Sequence, residues 1–163
     1  QRTAGRLDVI IANAGIAHTM GTVASTPLFA FREHWEVNTL GLIALFQAAH
    51  TLLLAPPTGA PIFAYISTGS ASIAHVPAYT SSKAAANFLV KALDGDHPSL
   101  IAMAIHPGWV STEMGNRGAT ANGMPAAPVT VEDSVKGVMS RIDGATKEKS
   151  SGRFWNFYTD KSG

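Results

Sequence analysis

Four apolar runs, separated by longer amphipathic stretches, set the pattern of this chain. The runs at residues 7–12, 61–66 and 100–105 are short and almost continuous, which is typical of parallel strands covered on both faces. Residues 152–158 instead alternate large aromatic and polar side chains. We therefore predict three buried strands and a last strand with one better covered face.

The stretches between the runs predict helices. A long helix is expected from about residue 27 to 49, with an apolar stripe at 3–4 spacing: Phe31, Trp35, Asn38, Leu42, Leu45, Ala49. Further helices are expected over 79–93 and over 130–142, the latter capped by Thr130. Residues 113–128 are rich in Gly, Asn, Ala and Pro and predict a mobile lid, whereas residues 147–149 predict a solvated turn.

Strands and helices alternate along the chain, which predicts an α/β fold with a parallel, doubly wound sheet. In such sheets ligands bind beyond the carboxyl ends of the strands. Three polar segments fall at those ends, namely residues 13–15, 67–70 and 107–112. The sequence therefore predicts that these segments meet at one edge of the sheet.

Tyr79 and Lys83 are the first candidates for chemistry at that edge. Their i, i+4 spacing places them on one face of a predicted helix. An ammonium beside a phenol stabilises the phenolate and lowers the tyrosine pKa, so the two form a plausible acid and base pair. Such a pair also occurs by chance in many chains, so the hydroxyl-bearing loop with Ser67, Thr68 and Ser70 is needed to strengthen it.

Asn38 is the one polar member of the long apolar stripe. A buried asparagine needs hydrogen-bond partners. Two interpretations stay open from the residues alone: a functional asparagine, or an asparagine whose amide is satisfied by neighbouring backbone.

Composition narrows the class of protein further. The 163 residues are 46% hydrophobic and 14% charged, the profile of one globular domain. The net charge of +1 without a basic cluster argues against nucleic acid or membranes as partners, and no signal peptide or spanning segment is found. The absence of cysteine excludes disulfides and thiolate metal sites and fits a cytoplasmic protein. The six histidines lie far apart, so no metal site is expected.

Four motifs in order resemble the short-chain dehydrogenase/reductase family across nearly the whole chain. Asn13-Ala14-Gly15 resembles its N-A-G turn, and Asn38 its helix asparagine. Tyr79-x-x-x-Lys83 resembles its catalytic pair, and the segment from Pro107 to Thr112 its P-G turn. The amino-acid sequence of residues 81–89 and 106–116 is also similar to that of fungal reductases of the norsolorinic acid ketoreductase type. The resemblance implies a Rossmann-like fold and an NADP- or NAD-dependent oxidoreductase.

The resemblance also implies a role for each matched residue. Tyr79 would exchange a proton with a substrate carbonyl, Lys83 would lower the phenol pKa and hold the nicotinamide ribose, and Asn38 would position a relay water. The residues expected to line the cofactor pocket, besides Tyr79 and Lys83, are Asn13, Ala14, Gly15, Pro107, Gly108, Trp109, Val110 and Thr112. The substrate is expected to be a hydrophobic ketone or alcohol beneath the lid, and the protein to be a homo-oligomer.

Two departures from the family pattern matter. The place of the catalytic serine is taken by Thr68, so the role is divided among Ser67, Thr68 and Ser70. The sequence has no counterpart of the family's glycine-rich phosphate turn or of the residue that selects between NAD and NADP. Residues 1–163 are therefore expected to form a single partial Rossmann domain, which is the carboxyl-terminal portion of the fold without its first βαβ unit. Strand 7–12 would then be an exposed sheet edge that invites pairing with another chain.

Three functions compete on this evidence. The first is an NAD(P)-dependent ketoreductase or alcohol dehydrogenase with Tyr79 as general acid and base. The second is a truncated, repurposed chain, either an interaction module or a cofactor-free acid and base catalyst. The third, a serine hydrolase, is disfavoured because Gly69-Ser70-Ala71-Ser72 lacks the G-x-S-x-G elbow and no Asp/His pair is placed to complete a triad.

Overall fold

A computed structural model describes residues 5–55, 60–69 and 76–158, and within them a four-stranded parallel sheet. The strands are β1 (Val9–Ala12), β2 (Ile62–Ile66), β3 (Ile101–His106) and β4 (Phe154–Asn156), each paired with the next along the chain. The register aligns Ala12 with Tyr65, Tyr65 with Ala104, and Ala104 with Phe154. The predicted parallel α/β fold is confirmed.

Helices connect these strands. They are α1 (Leu28–Trp35), a π-helical turn (Glu36–Leu40), α2 (Gly41–Leu53), α3 (Pro77–Asp96), α4 (Glu113–Ala121), α5 (Val131–Asp143) and α6 (Lys147–Ser150). The predicted cap of α5 is confirmed, because the Thr130 hydroxyl accepts a hydrogen bond from the backbone N–H of Asp133 at 3.0 Å.

Each face of the sheet has its own apolar core. On one face, side chains of β2 and β3 pack with α2 and α3, and this core includes Phe46, Leu53, Phe63, Tyr65, Val90 and Ala104. On the other face the core includes Met103, Ile105, Val138, Ile142 and Trp155, so α5 covers β3 and β4 there. The two faces alternate along each strand as a pleated backbone requires.

Strand β1 differs from its prediction as a strand covered on both faces. Ile10 and Ala12 are buried, whereas Val9 and Ile11 remain 42% and 40% exposed. Within the described sheet β1 is an edge strand, as the sequence predicted. Its apolar character reflects one well-covered face, because the second face stays partly open to solvent.

The prediction of one continuous α-helix over residues 27–49 is wrong at its centre. The π-helical turn widens the helix at Glu36–Leu40, so the buried positions no longer follow one α-helical stripe. The buried side chains are Ala30, His34, Asn38, Thr39, Leu42, Phe46 and Leu53. Trp35 and Leu45, which the predicted stripe included, are 42% and 39% exposed.

The lid predicted over residues 113–128 is wrong in its first half, where the chain forms α4. The Thr112 hydroxyl caps this helix by accepting a hydrogen bond from the backbone N–H of Gly115 at 3.1 Å. Arg117 also pairs with Glu113 one turn earlier, at 2.6 Å. A capped first turn and an i, i+4 ion pair therefore outweigh the low helix propensity of the glycines.

The solvated turn predicted at residues 147–149 is also wrong, because it opens the short helix α6. Lys147 Nζ donates to Asp94 Oδ1 at 2.7 Å and to the carbonyl of Leu100 at 2.8 Å. Burial raises the pKa of Asp94, but hydrogen bonds from Lys147, Ser151 and Lys91 outweigh it and lower that pKa to about 2. The lysine thus ties the end of α3 to the start of β3.

Candidate active site

Lys83 lies where the carboxyl end of β2 meets helix α3. Its Nζ donates to the carbonyl of Ile66 at 2.8 Å, and the residue is only 4% exposed. The same atom lies over the Tyr65 ring at 4.6 Å and over the Tyr79 ring at 5.9 Å, measured to the ring centroids. The predicted neighbours Tyr79 and Lys83 therefore share one face of α3, with Tyr65 beside them.

Burial governs the charge of this lysine. It lowers the pKa of Lys83 from 10.5 to about 8, because an ammonium loses hydration when water is excluded. The side chain is consequently still mostly protonated at pH 7, but it loses its proton at a mildly alkaline pH that ordinary buffers cover. A buried amine with such a pKa is typical of functional sites.

Tyr79 titrates in the opposite direction from the one its sequence context predicted. Burial raises its pKa, and a hydrogen bond with the Thr68 side chain opposes that effect without overcoming it. The expected lowering by Lys83 is absent in this structure, because desolvation of the phenolate is the larger effect. The phenol is therefore protonated at neutral pH, the state required of a proton donor.

The three hydroxyl residues proposed for the serine role differ in their surroundings. Thr68 bonds to Tyr79, whereas Ser67 is buried and its Oγ donates to Asn87 Oδ1 on α3 at 2.6 Å. Successive side chains beyond a strand face opposite sides, which separates the two. Ser70 lies outside the described residues. The geometry favours Thr68 as the hydroxyl beside the phenol.

Asn38 joins the loop after β1 to helix α3. Its Oδ1 accepts from the backbone N–H of Ile16 at 2.8 Å, and its Nδ2 donates to the carbonyl of Ile16 at 2.9 Å and to Ser82 Oγ at 3.0 Å. Its own carbonyl accepts from the Tyr65 hydroxyl at 3.3 Å. The interpretation that neighbouring backbone satisfies this buried amide is confirmed, and a role in holding water stays a prediction.

Gly15, the last residue of the N-A-G turn, packs directly against these groups. A Cβ built at this position would lie 3.0 Å from Asn38 Oδ1 and 3.2 Å from Lys83 Nζ. Contacts this short force the neighbouring side chains to move. Glycine therefore keeps the space beside the ammonium open.

We expect Gly15→Ala to lower the unfolding free energy by about 1–3 kcal/mol, because the added methyl group displaces Asn38 or Lys83. Gly95→Ala on α3 is the matched control, since a Cβ there has no heavy atom within 4 Å. That change is expected to stabilise the helix by about 0.5–1 kcal/mol. Urea unfolding of both variants measures the difference, and equal effects would contradict the close packing around Gly15.

The P-G turn after β3 places its residues beside α4 and β4. Gly108 has φ +85°, and a Cβ there would lie 2.5 Å from Phe157, so only glycine fits. Trp109 Nε1 donates to the carbonyl of Gly115 at 2.9 Å. The Thr112 hydroxyl, predicted to hold the nicotinamide end, is the cap of α4 in this structure.

Several residues of the site escaped the sequence analysis. Tyr65 supports Lys83, Ser82 binds Asn38, and Asn87 binds Ser67. Two signals were available: Tyr65 and Ser67 share a strand face by alternation, and Asn87 lies one helical turn after Lys83. No local signal marked Ser82, because its partner lies 44 residues away in the chain.

The residues present fit the ribose end of a nicotinamide nucleotide. Within the described residues, the bond to Ile66 uses one of the three N–H donors of Lys83, and the others are available to a further oxygen acceptor. The Tyr79 ring lies on the same side of α3, with its centroid 5.9 Å from Lys83 Nζ. Asn13 and Ala14 precede that glycine at the end of β1, and Pro107 and Val110 flank the neighbouring turn.

Other kinds of site are not seen in the described part of the chain. It contains no group of three or more His, Cys, Asp or Glu side chains placed to hold a metal ion. In the same residues, no helix has the length and apolar character needed to cross a membrane.

Residues 1–122 match the family model described as short chain dehydrogenase, and the chain belongs to that family. It is 39% identical over 156 residues to the norsolorinic acid ketoreductase nor1 of Dothistroma septosporum, with 91% of this chain and 58% of that protein covered. It is 41% identical over 155 residues to the norsolorinic acid ketoreductase of Aspergillus parasiticus, covering 91% and 57%. The chain thus spans just under three fifths of these curated relatives, and the resemblance to fungal reductases of this type is confirmed.

Solved structures agree on the fold. The carbonyl reductase Sniffer of D. melanogaster superposes with a TM-score of 0.80 at 25% identity, over 94% of this chain and 64% of that one. The NADPH-bound carbonyl reductase from chicken fatty liver superposes with a TM-score of 0.79 at 26% identity and the same coverage. The Rossmann-like architecture predicted from the sequence is therefore confirmed.

Proposed function

We propose that this chain carries the proton-transfer site of an NAD(P)-dependent ketoreductase. The observation that carries the proposal is a chain of contacts: Thr68 bonds to Tyr79, the Tyr79 ring lies near Lys83 Nζ, and Lys83 and Asn38 both pack against Gly15. The curated relatives named as ketoreductases and the NADPH-bound carbonyl reductase support the choice of reaction and cofactor. When bound, the reduced nicotinamide supplies the hydride.

The residues of the chain then divide the remaining work. The Tyr79 hydroxyl donates its proton to the oxygen of the ketone, and Thr68 holds the phenol and binds the same oxygen. The Lys83 ammonium holds the ribose and stabilises the phenolate that remains. Asn38 fixes the loop after β1 at Ile16 and so keeps Gly15 against the ammonium. Reduction of the ketone thereby takes its proton from a group that burial keeps protonated.

The substrate proposed is a hydrophobic ketone, which the relatives' name supports. Trp109 is 36% exposed beside the turn after β3 and provides an apolar surface next to the site. NADP is the preferred cofactor on the strength of the NADPH-bound neighbour, with NAD as the second possibility. Homo-oligomerisation and a cytoplasmic location stay predictions.

One observation favours the alternative of an interaction module. Val9 and Ile11 lie on an edge strand and are about two fifths exposed, at 42% and 40%, so β1 offers an apolar edge for another chain. Pairing along β1 and nucleotide binding are separable by experiment, since the exposed side chains Val9 and Ile11 differ from the proposed cofactor residues Tyr79 and Lys83.

Calorimetric titration with NADPH and NADH tests the ketoreductase proposal. We expect binding in the micromolar range that Lys83→Ala abolishes, because the buried ammonium is the proposed ribose ligand. Lys136→Ala on α5, which removes an exposed lysine, is expected to leave the affinity unchanged. No heat with either nucleotide, or equal affinity in Lys83→Ala, would contradict the proposed cofactor site in this chain.

A further inference from the structure

A row of polar residues crosses the carboxyl ends of three strands on the side that faces α3. His106, the last residue of β3, is in register with Asn156 of β4. On its other side lies Ser67, whose N–H continues the ladder by donating to the carbonyl of Ile105 at 2.8 Å. Because Ala102 and Ala104 belong to the core under α3, strand alternation places His106 on that same face.

The His106 ring packs behind the segment that carries Thr68. A Cβ built on Gly69 would lie 3.0 Å from His106 Nε2 and 3.1 Å from its Cδ2. The ring edge therefore packs closely against the backbone immediately after Thr68, and an added Cβ there would push the ring away by a few tenths of an ångström. Any movement of the ring would move this segment, and with it the Thr68 side chain that bonds to Tyr79.

Among the residues that the structure describes, two polar atoms in this row are buried without a hydrogen-bond partner. They are His106 Nδ1 and Asn156 Oδ1, on side chains at paired positions of neighbouring strands. A buried polar atom left unsatisfied costs about 1–3 kcal/mol, so native proteins usually supply a partner. A single water that donates to Asn156 Oδ1 and either accepts from or donates to His106 Nδ1 would satisfy both atoms, since internal waters typically bridge such groups.

We propose that His106 is a positioning residue whose ring, fixed to Asn156 through an internal water, holds the segment 67–69 so that the Thr68 hydroxyl reaches Tyr79. The inference rests on the proposed function, because the Thr68 contact matters for activity only if Tyr79 is the proton donor. His106 itself touches neither the phenol nor the ammonium in this role. It acts through the backbone at Gly69.

The hydrogen bond at the Tyr79 oxygen is measurable without nucleotide or substrate. Tyrosine labelled with ¹³C at Cζ gives one resonance for each of the three tyrosines, and Tyr79→Phe assigns the Tyr79 resonance. The Cζ shift at neutral pH responds to hydrogen bonding at the phenol oxygen. Thr68→Val, which removes the hydroxyl at nearly constant volume, defines the shift that accompanies loss of this bond.

We expect His106→Ala to move the Tyr79 resonance in the same direction as Thr68→Val. In the double variant we expect no movement beyond that of Thr68→Val alone, since groups acting through one contact are not additive. Met103→Leu, on the opposite face of β3, is the control for general loosening and is expected to leave the resonance in place. A static resonance in His106→Ala, or an additive shift in the double variant, would overturn the proposal.

Two further variants keep the test decisive if His106→Ala does not fold. His106→Phe keeps a ring against Gly69 and removes both nitrogens, and Asn156→Leu removes the partner amide. Each is expected to move the Tyr79 resonance in the same direction as Thr68→Val does. If neither variant moves it, the proposal that His106 and Asn156 act together through a water is wrong. A shifted resonance in a protein that binds no nucleotide would sustain the positioning role while rejecting the proposed function.

Discussion

Replacing Tyr79 with phenylalanine is expected to lower kcat for ketone reduction by about 10²- to 10⁴-fold, the usual contribution of a positioned general acid. The variant lacks the hydroxyl that supplies the proton but keeps the aromatic ring beside Lys83. Nucleotide affinity should therefore change little, and the loss should appear in the chemical step. Single-turnover oxidation of NADPH with a hydrophobic aryl ketone measures that step directly.

Tyr158→Phe is the matched control for this change. Tyr158 is 68% exposed, so removal of its hydroxyl should leave kcat within about twofold of the unchanged protein. Retention of more than about a tenth of kcat in Tyr79→Phe would mean that another group donates the proton. The Tyr79 assignment would then be wrong even if nucleotide binding persisted.

Replacing Lys83 with methionine is expected to stabilise the fold below pH 8 while abolishing nucleotide binding. The folded pKa is about 8 and the unfolded value 10.5, so between these pH values the unfolded chain binds more protons than the folded one. The contribution of Lys83 to the stability of the unchanged protein must then rise with pH across this window, by about 3 kcal/mol in all. Below pH 8 the full cost of burying the charge is present.

Comparison of the two proteins isolates this effect, because every other group titrates in both. The advantage of Lys83→Met in unfolding free energy should shrink by about 3 kcal/mol from pH 7 to 10.5. The lost bond to Ile66 lowers that advantage by the same amount at every pH and leaves the change with pH untouched. Lys136→Met, which makes the same exchange at an exposed lysine on α5, is measured alongside as the control for the substitution itself. A pH-independent difference for Lys83→Met would contradict the buried amine.

Burial of the Lys83 ammonium is expected to lower the stability of the fold, which suggests that this lysine is kept for function. Proteins retain destabilising groups mainly at functional sites, because a residue needed for binding or catalysis is kept there even when another residue would make the fold more stable. Lys83 makes one bond to Ile66 and is otherwise enclosed by Tyr65, Tyr79 and Gly15. Stability alone would favour an apolar side chain of the same length at this position.

The sequence predicted the parallel sheet and the shared helix face of Tyr79 and Lys83 because those features follow from local periodicity. Side chains alternate between the two faces of a strand, and residues four apart share one face of a helix. Both patterns can be recognised within a few residues of sequence. The convergence of the segments after β1, β2 and β3 followed from the general placement of ligands in such sheets. These predictions required no knowledge of distant contacts.

Other features depend on contacts that no local pattern encodes. The raised pKa of Tyr79 depends on burial by the whole fold, which outweighs the hydrogen bond with Thr68. The amide partners of Asn38 lie 22 and 44 residues away in the chain. Helix α4 was mistaken for a lid because its glycines lower helix propensity, whereas its cap and ion pair act against that propensity.

The π-helical turn at Glu36–Leu40 has a consequence for how this chain tolerates changes in length. A π-helical turn holds one residue more than an α-helical turn, so deleting one residue here would regularise the helix and leave α2 close to its present orientation. Leu42 and Phe46 would then keep their places in the core. The neighbours Asn38 and Thr39, which both face inward and bond to Ser82 only because the turn is wide, would no longer both reach their partners. The extra residue therefore serves the contacts between this turn and α3 more than the position of α2.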